Sequence, residues 1–204
     1  MKIAIIDYGM GNLRSVEKAF HHIGTPGAFV TSDPASVLAA DKAVLPGDGA
    51  FDATMDRLRE AGIDDVVKKF AASARPLLGI CVGMQCLLTR SDEGRAGVSG
   101  LDLVPGEVKR FPGKNGIKVP QIGWNELAFP RESALFAGLA RGQMVYFLHS
   151  FYCAVSDPTA VTATSEYGIE YCSGLQMDNI HATQFHPEKS GAVGLTILSN
   201  FSRL

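Results

Sequence analysis

The chain has 204 residues, of which 46% are hydrophobic and 20% are charged, a composition typical of a globular protein with a large core. Its 19 basic and 21 acidic residues leave a formal net charge of −2, which does not favour nucleic acid or a membrane surface as the main partner. The N-terminal apolar run meets Asp7 before it reaches the length of a signal peptide, and no stretch is long and apolar enough to span a bilayer. The sequence therefore predicts a single cytoplasmic domain over residues 1–204.

The first half of the chain alternates short apolar runs with helical patterns. Strands are predicted at residues 2–7, 27–31 and 42–45 and directly after Pro76. Between them, apolar residues recur at helical spacing, and a helix is expected to start at Ser32-Asp33-Pro34. Further helices are predicted at residues 13–23, 52–60 and 63–73. This alternation predicts a parallel sheet with helices on both faces.

The second half has a different pattern, with β-like segments separated by turn residues and few helices between them. Some of these strands must pair antiparallel and extend the parallel sheet. A helix marked by Val193, Ile197 and Phe201 closes the chain. The predicted strands of this half are residues 103–111, 143–149, 159–165, 170–178 and 180–186.

A cysteine flanked by glycines follows the fourth predicted strand, in the pattern Gly79-x-Cys81-x-Gly83. This is the spacing of a nucleophile elbow, a sharp strand-to-helix turn that exposes the nucleophile's side chain. The sulfur would lie at a helix N-terminus, where the positive end of the dipole favours the reactive thiolate. The alternative is that Cys81 is a small buried core residue, since free cysteine is commonly buried and inert.

A candidate base lies far along the chain, in His186-Pro187-Glu188. The residue before a proline favours an extended backbone, in which His186 and Glu188 would share one face. Glu188 could then orient the imidazole while the other ring nitrogen meets the sulfur. Taken alone, a histidine at a strand end more often has a structural role. The remaining cysteines, Cys86, Cys153 and Cys172, form no metal-binding or disulfide pattern and are predicted to be core thiols.

Together, the elbow and the His-Pro-Glu segment resemble the class I (triad) glutamine amidotransferases. Further stretches are similar to one of their families, the glutaminase subunits of imidazole glycerol phosphate synthases. The resemblance covers the chain essentially from end to end. Its motifs are Ile6-Asp7-Tyr8-Gly9-Met10-Gly11-Asn12-Leu13, Leu45-Pro46-Gly47-Asp48-Gly49-Ala50-Phe51, Gly79-Ile80-Cys81-Val82-Gly83-Met84-Gln85, Gly123-Trp124-Asn125, Tyr146-Phe147-Leu148-His149-Ser150 and Phe185-His186-Pro187-Glu188-Lys189-Ser190-Gly191.

The resemblance implies a flavodoxin-like α/β fold and hydrolysis of glutamine to glutamate and ammonia through a γ-glutamyl thioester, without a cofactor or metal. Cys81 would be the nucleophile, His186 the general base and then acid, and Glu188 its orienting residue. The oxyanion would be held by Val82 and by the loop Gly47, Asp48 and Gly49. The substrate's amino-acid end would be held by Gln85 and Glu93 and by backbone at Ser150 and Phe151.

The resemblance also implies a partner, a (β/α)₈-barrel synthase or cyclase subunit that forms a heterodimer with the chain and receives the ammonia through an internal channel. Trp124, Tyr146 and Lys189 are expected on the docking face, because large amphipathic rings dominate interfaces. A core position for Trp124 and a solvated one for Lys189 are the alternatives.

Two residues depart from the family's pattern. A small apolar residue is usual at position 48 and a histidine at position 121, where this chain has Asp48 and Gln121. Asp48 puts the electrostatics of the oxyanion loop in question, and Gln121 puts one interface contact in question. Three other functions fit parts of the sequence: a glutaminase subunit of another pathway, a cysteine hydrolase on the same fold and a non-catalytic binding module.

Overall fold

The computed structural model describes residues 1–95, 97–113 and 117–204. Within them the chain forms six α-helices and 12 strands. The helices are α1 (Leu13–His22), α2 (Pro34–Ala39), α3 (Phe51–Glu60), α4 (Ile63–Ala72), α5 (Val82–Cys86) and α6 (Gly191–Arg203). The strands are β1 (Ile3–Ile6), β2 (Ala28–Thr31), β3 (Lys42–Gly47), β4 (Leu77–Cys81), β5 (Leu88–Ser91), β6 (Val104–Arg110), β7 (Gln121–Leu127), β8 (Gln143–His149), β9 (Phe151–Val155), β10 (Val161–Glu166), β11 (Glu170–Met177) and β12 (Ile180–Thr183).

Ten of these strands form one sheet in the order β2-β1-β3-β4-β12-β11-β9-β6-β5, with β10 paired to β11. The five strands from β2 to β12 run parallel to their neighbours, as the alternating first half of the sequence predicts. Beyond β12 the pairing becomes antiparallel, from β12 to β11, β9 and β6. Strand β12 is therefore the seam between a parallel half and a mainly antiparallel half, in which the edge strand β5 pairs parallel to β6.

The strands of the parallel half lie in the core of the protein. Strands β1, β3 and β4 are buried at every residue, since helices cover both faces of this part of the sheet. Helix α1 presents Val16, Ala19 and Phe20 to the core. Helix α2 begins as predicted, because the Asp33 carboxylate accepts the N–H groups of Ala35 and Ser36.

The remaining two strands, β7 and β8, form a separate antiparallel ribbon. The sequence predicted β8 but not β7, β5 or β9, and the predicted strand 180–186 ends already at Thr183. In β7, Ile122 and Trp124 are exposed, so its pattern does not indicate a core strand. Across the described residues, no helix has both the length and the apolar character needed to cross a membrane.

Candidate active site

The end of β4 has the geometry of a nucleophile elbow. Cys81 adopts φ 54° and ψ −114° at the start of the five-residue helix α5, a positive φ that a cysteine rarely adopts. A Cβ at Gly83 would collide with the carbonyl oxygen of Leu45, and one at Gly79 would lie 2.9 Å from Leu87 Cδ1. The two glycines of the motif therefore let α5 pack directly against the ends of β3 and β4. The strained turn predicted from the sequence is confirmed.

Cys81 opens into a cavity of about 310 Å³. Most of the residues predicted to act on a substrate line this cavity, although they come from distant parts of the chain. Glu188, Gly47, Trp124 and Tyr146 are not among the lining residues. A larger depression of about 790 Å³ lies along residues 129–139, but its described lining holds no cysteine or histidine. The cavity at Cys81 is lined by Asp48, Gly49, Cys81, Val82, Gln85, Glu93, Pro120, Leu148, His149, Ser150, Phe151, His186 and Lys189.

His186 and Glu188 form a buried pair in which His186 Nδ1 lies 2.9 Å from Glu188 Oε1. A carboxylate can only accept, so Nδ1 carries the proton and Nε2 is left for another partner. The expected contact is present, and His186 itself has the expected extended backbone, with φ −96° and ψ 99°, but the extended conformation ends at this residue. Pro187–Lys189 is a turn of 3₁₀-helix, closed by the Lys189 N–H to the His186 carbonyl, and this turn folds the carboxylate back onto the imidazole.

The protonation of His186 depends on opposing influences. Burial lowers its pKa, but hydrogen bonding and charge interactions with Cys81 and Glu188 raise it more strongly, so the pKa of His186 lies well above its ordinary value. The imidazolium is thus the favoured form when a thiolate is beside it. This is the electrostatic arrangement that an activated cysteine requires.

The sulfur of Cys81 has two further polar neighbours. The carbonyl oxygen of Leu148 lies 3.9 Å from Sγ, and Gln184 Nε2 donates to Sγ over 3.8 Å. The sequence predicts no function for Gln184. The register of β4 and β12 could have indicated it, since Ile80 pairs with Thr183 and the next residues are Cys81 and Gln184.

The predicted oxyanion loop follows β3 and lies against the elbow. Gly47, the last residue of β3, pairs with Cys81, and a Cβ there would collide with the Gly83 backbone nitrogen. Asp48 is exposed and Gly49 has φ 84°; both line the cavity. The Val82 N–H follows the nucleophile at the start of α5.

The two predicted substrate-binding side chains already have protein partners. Gln85 is buried, and its Nε2 donates to the Phe151 carbonyl at 3.1 Å and to Gln184 Oε1 at 3.2 Å. Glu93 is half-buried and accepts the Phe51 N–H at 2.9 Å, which caps the start of α3. Burial raises the pKa of Glu93, opposed by the hydrogen bond from Phe51. This capping contact was not predicted, because 42 residues separate the two groups in the chain.

His149 is a lining residue for which the sequence predicted no role. Its Nδ1 lies 2.7 Å from the Phe151 carbonyl oxygen, so Nδ1 must be the donor and Nε2 the bare nitrogen. Burial lowers the pKa of His149 to about 4, so the ring is neutral near neutral pH. Nε2 is buried and has no hydrogen-bond partner in the described part of the chain.

The outer face of the β7–β8 ribbon is an exposed apolar patch, formed by Ile122, Trp124, Met144, Tyr146 and Leu148. Trp124 is 53% and Ile122 61% exposed, which excludes a core position for Trp124. Trp124 pairs across the ribbon with Tyr146, edge to face at 6.1 Å, and Ile122 pairs with Leu148. Most of these side chains are large and apolar, and they cluster in one place, as in protein interfaces.

Gln121 does not belong to this patch. It is buried and accepts a hydrogen bond from the Tyr171 hydroxyl at 3.0 Å. Its side chain therefore packs on the inner face of the ribbon and takes no part in the exposed patch.

A protein-family model described as "Glutamine amidotransferase class-I" matches residues 4–203. The chain belongs to this family. It is also similar to three proteins named imidazole glycerol phosphate synthase subunit HisH, each 50% identical to it. That of Moorella thermoacetica aligns over 99% of this chain and 94% of the relative, and that of Geobacter sulfurreducens over 100% and 99%. That of Methanothermobacter thermautotrophicus aligns over 98% and 96%.

Solved structures of low sequence identity share the fold. A structure described as glutamine amidotransferase has a TM-score of 0.76 at 18% identity, covering 99% of this chain and 100% of the other. The structure of PurLQS from Thermotoga maritima has a TM-score of 0.75 at 17% identity, covering 99% and 97%. These likenesses agree with the predicted α/β fold, a parallel sheet extended by antiparallel strands.

Proposed function

We propose that the chain is a single glutaminase domain, residues 1–204, of an imidazole glycerol phosphate synthase in histidine biosynthesis, and that it supplies ammonia from glutamine. The observation that carries this proposal is one cavity lined by a strained elbow cysteine and by His186, whose imidazole is hydrogen-bonded to Glu188. The chain is also 50% identical, over 98–100% of its length, to proteins named as HisH subunits. Its four cysteines are free and buried, as is typical of a cytoplasmic protein.

In the first half-reaction, the Cys81 thiolate attacks the side-chain amide carbon of glutamine. The oxyanion that forms is stabilised by the Val82 N–H and by the backbone of Gly47, Asp48 and Gly49. His186 gives its Nε2 proton to the amide nitrogen, the C–N bond breaks, and ammonia leaves a γ-glutamyl thioester on Cys81.

In the second half-reaction, the now neutral His186 takes a proton from water, whose oxygen attacks the thioester carbon. The C–S bond breaks, glutamate forms and the sulfur returns to the thiolate beside protonated His186. Glu188 keeps the imidazole in the Nδ1–H tautomer throughout, which leaves Nε2 free for both transfers.

The amino-acid end of glutamine would lie towards Glu93, Gln85 and the backbone at Ser150 and Phe151. A carboxylate suits an α-ammonium group, and the half-buried position of Glu93 reduces its screening by water. The Phe151 carbonyl already accepts from Gln85 and from His149, so both of its lone pairs are in use. The Phe151 and Ser150 backbone can therefore serve the substrate chiefly as donors.

The partner we propose is a (β/α)₈-barrel synthase subunit, bound as a heterodimer on the apolar patch of the ribbon and receiving ammonia through a channel. The backbone of two residues of this patch contacts the reacting residues. The Tyr146 carbonyl accepts the His186 N–H at 3.0 Å, and the Leu148 carbonyl lies beside Cys81 Sγ. Lys189 lines the cavity next to Glu188 and could pair with a partner carboxylate. A partner on this face would thus contact the strand that bonds both reacting residues.

The test is ammonia release from glutamine, measured for the chain alone, with the barrel subunit, and with that subunit and its nucleotide substrate. We expect a low rate alone and a clear rise with the partner and its substrate, with the nitrogen appearing in the product. Cys81→Ala is the control for contaminating glutaminase. A rate of ammonia release that does not change when the partner is added indicates a free-standing hydrolase. Stimulation only by another pathway's synthase indicates a different amidotransferase.

A further inference from the structure

Gln184 lies at the end of an uninterrupted chain of hydrogen bonds in the wall of the cavity. The residue is fully buried, at 0% exposure, directly after β12 and beside Cys81. Its Oε1 accepts from Gln85 Nε2 at 3.2 Å, and its Nε2 donates to Cys81 Sγ over 3.8 Å. Gln85 in turn donates to the Phe151 carbonyl, which also accepts from His149.

The Phe151 carbonyl oxygen fixes the orientation of both side-chain amides in this series of hydrogen bonds, those of Gln85 and Gln184. A carbonyl oxygen can only accept, so the Phe151 oxygen requires Gln85 to present its NH₂ group. The second hydrogen of that NH₂ group then requires the oxygen of Gln184. The remaining NH₂ group of Gln184 is therefore turned towards the sulfur and cannot flip without leaving buried polar atoms unpaired.

We propose that Gln184 is a positioning residue that links the substrate-binding groups to the nucleophile, by donating to Cys81 Sγ while it accepts from Gln85. This inference rests on the proposed function, because Gln85 and Phe151 bind substrate only if the cavity takes glutamine. A hydrogen bond from a neutral amide to an anion favours the charged form of the acceptor. Gln184 thus stabilises the thiolate form of Cys81. The other polar neighbour of the sulfur, the Leu148 carbonyl, cannot do so because it has no hydrogen to donate.

The same hydrogen bonds could transmit the binding of substrate to the nucleophile. A displacement of Gln85 or of the β9 backbone by bound glutamine would pass through these hydrogen bonds to the amide that faces the sulfur. A merely space-filling Gln184 would not do this. Its neighbour Cys153, whose sulfur lies 4.0 Å from Gln184 Oε1, contacts the same amide at its oxygen and not at the NH₂ group that faces Cys81, and provides a matched comparison.

The test is the rate at which iodoacetamide alkylates Cys81 in the full-length protein, mapped by peptide mass spectrometry and followed across the pH range in which thiols titrate. Gln184→Met keeps the side-chain volume and removes both amide groups. We expect its alkylation rate near neutral pH to fall about tenfold or more, with the profile displaced to higher pH. Gln176→Met, the same change at a partly exposed glutamine in β11, and Cys153→Ala should leave the profile unchanged.

Gln184→Glu keeps an acceptor for Gln85 and serves if Gln184→Met does not fold. Its ionised carboxylate should slow alkylation further, because it repels the thiolate. Profiles of folded Gln184 variants that coincide with the unchanged protein would overturn the inference, even if their melting temperatures fall. The assay uses neither glutamine nor a partner. A displaced profile therefore stands if glutaminase activity is absent, and an unchanged one leaves the proposed activity standing.

Discussion

The elbow side of the cavity, formed by β3, β4 and α5, is held in a different way from the ribbon side, formed by β7, β8 and the turn Pro187–Lys189. On the elbow side the backbones touch, since neither Gly47 nor Gly83 has room for a Cβ, and every residue of α5 is buried. On the ribbon side the same strand that bonds His186 carries exposed apolar side chains on its outer face.

The difference indicates that the two walls of the cavity have different functions. The elbow side is packed to a fixed geometry and holds the nucleophile in its strained conformation. The ribbon side contacts both Cys81 and His186 through backbone carbonyls, yet its other face is open to a partner. Changes on the elbow side should therefore alter the chemistry itself, and changes on the outer ribbon face should alter its dependence on the partner.

The largest effect is expected from removal of the nucleophile. Cys81→Ser should lower glutamine hydrolysis by about 10⁴-fold or more, because no group remains to form the thioester. Synthesis from added ammonia by the assembled pair should persist. Cys86→Ala is the matched control, since burial raises the pKa of the Cys86 thiol and keeps it protonated. Loss of hydrolysis in the control with Cys81→Ser still active would place the nucleophile elsewhere.

Acidification should weaken the seam between the two halves. His181 lies on β12, and burial, followed by the charges of Lys42 and Arg131, lowers its pKa from 6.5 to about 4. Between these two pH values the unfolded chain binds a proton that the folded chain does not, so the free energy of unfolding falls as the pH falls through this window, by about 3 kcal/mol. Denaturant unfolding measured at pH 6.5 and at pH 4 should show a smaller fall in the free energy of unfolding for His181→Phe than for the unchanged protein. An equal fall in the variant would assign the pH dependence to other groups.

The close backbone contact on the elbow side can be broken with one methyl group. Gly83→Ala places a Cβ against the Leu45 carbonyl and should destabilise the fold by about 2–3 kcal/mol, with loss of alkylation at Cys81 in any folded fraction. Gly24→Ala is the comparison, because its Cβ meets no atom within 4 Å and only its φ of +79° is strained. That strain should cost about 1 kcal/mol. Equal costs for the two variants would show that the packing at the elbow is not tight.

Much of the elbow side could be predicted from the sequence, but only part of the ribbon side: β8 and the His186–Glu188 contact were predicted, whereas β7 and the 3₁₀ turn were not. The parallel strands are continuous apolar runs, and Gly79-x-Cys81-x-Gly83 is a local pattern, so both are readable without tertiary contacts. The contacts of Gln184, His149 and Glu93 depend on register and on segments far apart in the chain. Strand β7 also escaped prediction, because its apolar residues Ile122 and Trp124 lie on the exposed face of the ribbon rather than in the core.

Changes on the outer ribbon face should affect association rather than folding. Trp124→Ala should weaken binding of the barrel subunit by about 30-fold, the effect of losing one interface hot spot, and should leave the melting temperature nearly unchanged. Lys189→Ala should reduce stimulation by the partner. If both variants bind normally and keep full stimulated activity, the docking face lies elsewhere.

The smallest effect is expected at Asp48, where the loop departs from the family's pattern. Its side chain is predicted to point away from the oxyanion, since a carboxylate in the hole would cost on the order of a hundredfold in rate. Asp48→Val should therefore change the turnover of the assembled pair only a few-fold. A rise of several hundredfold after the charge is removed would show that the carboxylate faces the hole.

Labelling with a glutamine-analogue alkylating agent tests most directly whether the cavity between the two walls is a glutaminase site. The protein holds three other free cysteines, all buried, as internal controls: Cys86, Cys153 and Cys172. We predict that peptide mapping finds the label on Cys81 alone, that glutamine protects against it, and that the barrel subunit accelerates it. Label on Cys86 with Cys81 unmodified, or labelling of Cys81 that glutamine does not slow, would contradict the account.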